Sequence, residues 1–133
     1  MAYLVRGPAH GLFYCPDIDR WEEWPHSLPR VLETVDVALL DGTFFSASEL
    51  PGRDLAEIPH PLVQATVELL AGTRAHIRFI HLNHSNPLFH NGAERRWLEG
   101  HRMTIGAAGE RFALTEATVP VEAPDADSAR PSQ

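Results

Sequence analysis

A single cysteine, Cys15, stands among 133 residues, so no internal disulfide can form and a reducing compartment is the expectation. Positive charge is scarce as well: 11 Lys and Arg face 18 Asp and Glu, a formal net charge of −7. A protein that binds phosphate backbones clusters Lys and Arg on one surface, so this balance argues against a nucleic-acid partner. No stretch comes near the roughly 20 apolar residues that span a bilayer. The opening residues, Met1-Ala-Tyr-Leu-Val-Arg-Gly-Pro8, carry no basic segment followed by a long apolar run, so they are not a secretory signal. The expectation is a soluble, cytoplasmic protein with no membrane contact. Apolar residues at 44% and charged residues at 22% place it among ordinary globular chains of one domain.

What is present reads as alternating strands and helices. Tyr3-Leu-Val5 and Gly11-Leu-Phe-Tyr-Cys15 flank the turn residues Arg6 to His10 and predict a β-hairpin. Leu28, Val31, Leu32 and Val35 recur at helical spacing. Val35 to Leu40 is a nearly all-apolar run, typical of a strand buried on both faces. A loop is expected over residues 42 to 58, then a helix with Pro61 as its first residue, His60 at its N-cap and Gly72 closing it. His76 to His81 alternates like a strand, and Ala93 to Gly100 suggests a short helix. Met103–Ile105 and Arg111–Leu114 suggest two last strands around a Gly-rich turn. The order implies an α/β layered fold, a mixed sheet with helices on one face. One domain is expected over residues 1–116. Residues 117–133, rich in Pro, Ala, Asp and Ser, are expected to be a disordered tail.

In open α/β sheets, functional groups gather at the carboxyl ends of the strands. Three predicted strands end in suggestive side chains: Asp17 and Asp19 after Cys15, Asp41 before Gly42-Thr43, and His81 before Leu82-Asn83-His84. His60 is a fourth candidate. Carboxylate with imidazole is a mixed ligand set that suits zinc, iron or manganese. From spacing alone the bland reading carries similar weight, because Asp after a strand is a common turn former and a loop histidine is more often a surface residue.

The stretches Phe13-Tyr-Cys-Pro-Asp-Ile-Asp-Arg-Trp21, Val37-Ala-Leu-Leu-Asp-Gly-Thr-Phe-Phe45, Leu50 to Pro61 and Phe79-Ile-His-Leu-Asn-His-Ser-Asn-Pro87 stand in one order. In that order they resemble proteins of the pyrroloquinoline quinone biosynthesis protein B type, within the metallo-β-lactamase superfamily. The resemblance runs from about Met1 to Leu114 and implies the C-terminal half of an αβ/βα sandwich. It implies that Asp17 is a metal-bridging carboxylate and His81 a terminal metal ligand, with zinc, iron or manganese as the cofactor. Asp41 and His84 become residues that support the ligands by hydrogen bonds. His60 becomes a general acid or base, set at a helix N-terminus whose partial positive charge disfavours a protonated ring. Cys15 needs no role beyond that of a small core residue.

The superfamily's other half carries a His-x-His-x-Asp-His motif that supplies most metal ligands, and this chain has none. Two ligands hold a catalytic metal weakly. Three readings follow from the resemblance. The first is a metal-dependent hydrolase or oxidoreductase acting on a small molecule, with an ester or phosphodiester hydrolase as runner-up, completed by a separate N-terminal half-chain or by a homodimer. The second is an inactive remnant. The third is a binding or dimerising half-domain that uses an uncovered, apolar sheet face.

Overall fold

A computed structural model describes residues 1–115 and the backbone of Val121–Glu122. Strands β1 (Tyr3–Arg6) and β2 (Gly11–Cys15) form the expected antiparallel hairpin. Helix α1 (Leu28–Leu32), β3 (Val37–Asp41), α2 (Val63–Leu69), β4 (His76–Ile80), α3 (Ala93–Gly100) and β5 (Met103–Ile105) follow. The strands lie in the order β1-β2-β3-β4-β5, with β2 to β5 parallel. Three crossovers therefore advance in one direction across one sheet, and right-handed connections of that kind put every helix on the same face.

Register confirms that side. Phe13, Ala38, Ile77 and Met103 align across the strands, and so do Cys15, Leu40, Phe79 and Ile105. These two rows form one core cluster with Leu28 and Leu32 of α1, Val63 and Val67 of α2 and Leu98 of α3. Fully burying each such side chain contributes about 1.5–3 kcal/mol. This layer is the structural backbone of the molecule.

The opposite face carries Leu12, Tyr14, Leu39, Arg78 and Thr104, all half-buried. It is not left bare. After β5 the chain turns back across it, and Arg78 Nε donates to Glu110 Oε2 at 3.0 Å. Farther along, the amides of Ala9 and His10 both donate to the Leu114 carbonyl, at 3.0 and 3.1 Å. A strap over residues 106–114 thus crosses from β5 to the β1–β2 turn. The uncovered face expected from the sequence is corrected to its β1 end, where Tyr3 and Val5 stay about half exposed.

One further expectation changes. The last strands do not pair around the Gly-rich turn: β5 joins β4, whereas β6 (Arg111–Phe112) pairs antiparallel with β7 (Val121–Glu122). Val121–Glu122 lies inside the segment expected to be a disordered tail, and Val121 is β-branched and suited to a pleated ribbon. The rest of that tail lies outside the described residues. Among the described residues no helix is long and apolar enough to cross a membrane.

Candidate metal centre

The parallel register brings the carboxyl ends of β2, β3 and β4 to one edge. Asp41 is the last residue of β3 and pairs with Ile80, the last of β4, so His81 follows one step beyond the end of β4. Asp17 stands two residues past the end of β2. His60 arrives from the long β3–α2 connection. Its position differs from the sequence expectation, because α2 begins at Val63 with Leu62, not His60, at the N-cap. Leu62 is drawn into a parallel bridge with Phe44, and the amides of Val63 and Gln64 donate to the carbonyls of Phe44 and Phe45. The strand-like bridge holds Leu62 extended, so the helix cannot start at Pro61. The helix N-terminus is therefore not what faces the His60 ring.

Carboxylates face it instead. His60 Nδ1 lies 2.7 Å from Asp41 Oδ2 and 3.5 Å from Asp17 Oδ1. Asp41 has no exposed surface, whereas the Asp17 side chain is 65% exposed. Asp41 also accepts from the Ile18 amide at 3.1 Å, the Thr43 amide at 2.9 Å and the Thr43 hydroxyl at 2.8 Å. A carboxylate has about four acceptor positions. All of Asp41's are in use, which makes it a hub that holds its neighbours rather than a free ligand.

Thr43 extends the network. Its Oγ1 is 3.2 Å from His60 Nδ1 and 3.3 Å from His81 Nδ1. His81 itself has φ +63°, a left-handed conformation that is rare outside glycine and costs of order 1–3 kcal/mol. The two imidazole rings stand 6.2 Å apart, centroid to centroid. His84 is exposed and has no hydrogen bond to any of these groups; the support expected from it at His81 comes from Thr43. His84 does share a shallow cleft of about 360 Å³ with Thr43 and His81. Asp17 lines another, of about 460 Å³, with Asp19, Arg20 and Trp24.

The floor beneath is built from neutral parts. Asn86, buried, donates from Nδ2 to the Gly42 carbonyl at 2.7 Å and pins the turn after β3 to the loop after β4. Trp21 Nε1 donates to the buried Thr66 hydroxyl at 3.0 Å, tying the Asp17 loop to α2. Burial pushes the Cys15 thiol up to about 11, and the Asp41 and Asp17 carboxylates add to the effect, so in the chain by itself it stays protonated at neutral pH. Thr43 and Asn86 were not singled out from sequence. The one available signal was a Thr two residues after Asp, a spacing that lets side chain and backbone bond locally.

Asp17, Asp41 and His60 each offer a ligand atom within 4.8 Å of the others. With Asp41 saturated, the donors left in that group are the Asp17 carboxylate and the His60 imidazole; the His81 imidazole stands beside the group, linked to it through Thr43 Oγ1 at 3.3 Å. That mixed oxygen and nitrogen set fits zinc, iron or manganese.

No protein-family model and no curated protein matches the chain. Among solved structures it is similar to Zn²⁺-bound PqqB from Methylobacterium extorquens, with a TM-score of 0.64 and 20% identity over 79% of this chain. The fold is shared. At that identity the likeness to PqqB, a metallo-β-lactamase-fold protein, speaks for the α/β architecture alone. This chain spans about 40% of the PqqB chain.

Proposed function

We propose that this chain carries part of a metal-dependent hydrolase or oxidoreductase site of the metallo-β-lactamase type, acting on a small molecule. The observation that carries the reading is the convergence of Asp17, Asp41, His60 and the Thr43-linked His81 on one strand edge. The left-handed backbone at His81 adds to it, since such strain gathers at functional sites. Likeness to a zinc-bound protein of the same fold adds the metal class. The resemblance of its motifs points to a precursor of pyrroloquinoline quinone as substrate, with an ester or phosphodiester as the alternative.

In this reading Asp17 and His81 hold the metal, and Asp41 keeps His60 in one orientation. A divalent metal held there would supply Lewis acidity, making water more acidic and polarising the substrate. The exposed Asp17 meets ligands arriving from solvent, and the buried Asp41 takes the His60 Nδ1 proton in its hydrogen bond. His60 is then left with its Nε2 lone pair to take a proton and, once protonated, to return it. Further ligands come from a second chain, either another copy or a separate half-chain. The half-exposed Tyr3 and Val5 and the exposed Leu4 on the edge strand β1 favour such an association.

Metal content by mass spectrometry across a size-exclusion peak tests this. Near-stoichiometric zinc, iron or manganese, lost in Asp17→Ala and in His81→Ala, is the expected result. Metal-free protein in the presence of added zinc overturns it.

A further inference from the structure

The hydroxyl of Thr43 has one proton, and three acceptors or ring nitrogens compete for it. Asp41 Oδ1, at 2.8 Å, is a carboxylate oxygen and can only accept, so the Thr43 proton goes there. Thr43 Oγ1 then has only lone pairs left to offer. His81 Nδ1 at 3.3 Å must therefore be an N–H that donates to it. His60 Nδ1, at 2.7 Å from Asp41 Oδ2, must likewise be an N–H. Two histidines from different parts of the chain are thus locked through one buried carboxylate, His60 directly and His81 through Thr43. Each ring keeps its Nδ1 proton inward and its Nε2 lone pair outward.

We propose that Thr43 is a positioning residue that imposes the Nδ1–H tautomer on His81 by relaying the charge of Asp41. The relay needs no metal and is a property of the chain itself. Its consequence for metal binding rests on the reading under Proposed function: a ring whose other nitrogen is held by a hydrogen bond presents one fixed donor atom. The supporting elements suit the task. The Thr43 amide is tied to Asp41 Oδ1, and its carbonyl accepts from the Asn83 amide at 2.9 Å. The left-handed turn at His81 comes at the end of β4, beside that anchored backbone. Thr43 is itself only 7% exposed, so water does not readily replace its hydroxyl.

The experiment is long-range proton–nitrogen correlation NMR on the 133-residue chain carrying ¹⁵N-histidine, treated with chelator, at alkaline pH. Wild type is expected to show both His60 and His81 as Nδ1–H. Thr43→Val is expected to release His81 into a mixture of tautomers while His60 keeps its own, and Thr43→Ser is expected to restore the wild-type pattern. An Nε2–H tautomer at His81 in wild type overturns the relay even if no variant folds, and so does a Thr43→Val spectrum unchanged at His81. A zinc competition titration separates the two ideas. Thr43→Val is expected to weaken zinc binding about tenfold, with Thr43→Ser near wild type. Absence of zinc binding in wild type with the Nδ1–H pattern intact sinks the metal reading and leaves the relay standing.

Discussion

The sheet has a histidine–aspartate pair at each end, and the two are built for different ends. At the carboxyl edge, His60 meets Asp41 at 2.7 Å, and the carboxylate is wholly buried among donors. At the amino edge, His10 Nδ1 meets Asp36 Oδ2 at 3.1 Å, with the Asp36 side chain 40% exposed. Asp36 accepts from the Gly11 amide at 3.0 Å and so caps the start of β2. The buried His10 Nε2 has no partner among the described residues, whereas His60 lies in a group with a second carboxylate, Asp17, and its ring stands 6.2 Å from that of His81. The same two residue types therefore make a strand cap in one place and a candidate site in the other. Burial of the carboxylate, and what else its oxygens hold, decides which.

The largest test of this contrast is removal of each carboxylate. Asp41→Ala strands the Ile18 and Thr43 amides and the His60 ring in a buried position, and is expected to cost about 4 kcal/mol. Urea denaturation measures it, and a loss no larger than that from Asp36→Ala would erase the distinction between the two ends.

Glycines sharpen the comparison next. At the carboxyl edge a Cβ on Gly42 would lie 2.8 Å from Phe79 Cβ and 3.0 Å from the Ile80 carbonyl oxygen, so the ends of β3 and β4 must part. Gly42→Ala is expected to lower stability by about 2 kcal/mol, and to move the His81 NMR signals. Gly72, beyond α2 at the amino edge, has φ +86° and open space around its Cβ position. Gly72→Ala is expected to cost only about 1 kcal/mol, for its backbone conformation, and to leave His81 untouched. Thermal melts of the pair, read beside the His81 signals, check both.

The smallest effect is one of pH. The Gly11 amide, and after it His10, hold the Asp36 carboxyl below its ordinary 3.8. A carboxyl whose pKa is lower in the folded state stabilises the fold above the unfolded value, and that contribution is lost as pH falls through the folded value. Because Asp36 is substantially exposed, Asp36→Asn is expected to cost less than about 1 kcal/mol at neutral pH. The gap from wild type should close below pH 3.8, in urea titrations at stepped pH. A gap that widens on acidification reverses the sign and the argument with it.

Much of the architecture was readable in the residues. The Tyr3 to Cys15 hairpin, the apolar run ending at Leu40 and the helix over Ala93–Gly100 are local patterns, set by side-chain period and turn chemistry. The start of α2 was not readable. Pro61 is a sound helix-start signal, yet the Phe44–Leu62 bridge overrides it, because residues far along the chain supply the partners for the first helical amides. The strap across the second sheet face escaped for the same reason: Glu110 looks like any surface acid until Arg78 lies beneath it.

The candidate site divides in the same way. That Asp17, Asp41 and His81 sit at strand ends followed from the sequence, since strand limits are marked locally. That Asp41 is saturated, that His84 is a bystander to the hydrogen-bond network and that Thr43 joins the two histidines were decided by tertiary structure alone. Hydrogen bonds discriminate over tenths of an ångström and by direction, and no spacing along a chain encodes those quantities between residues 38 positions apart.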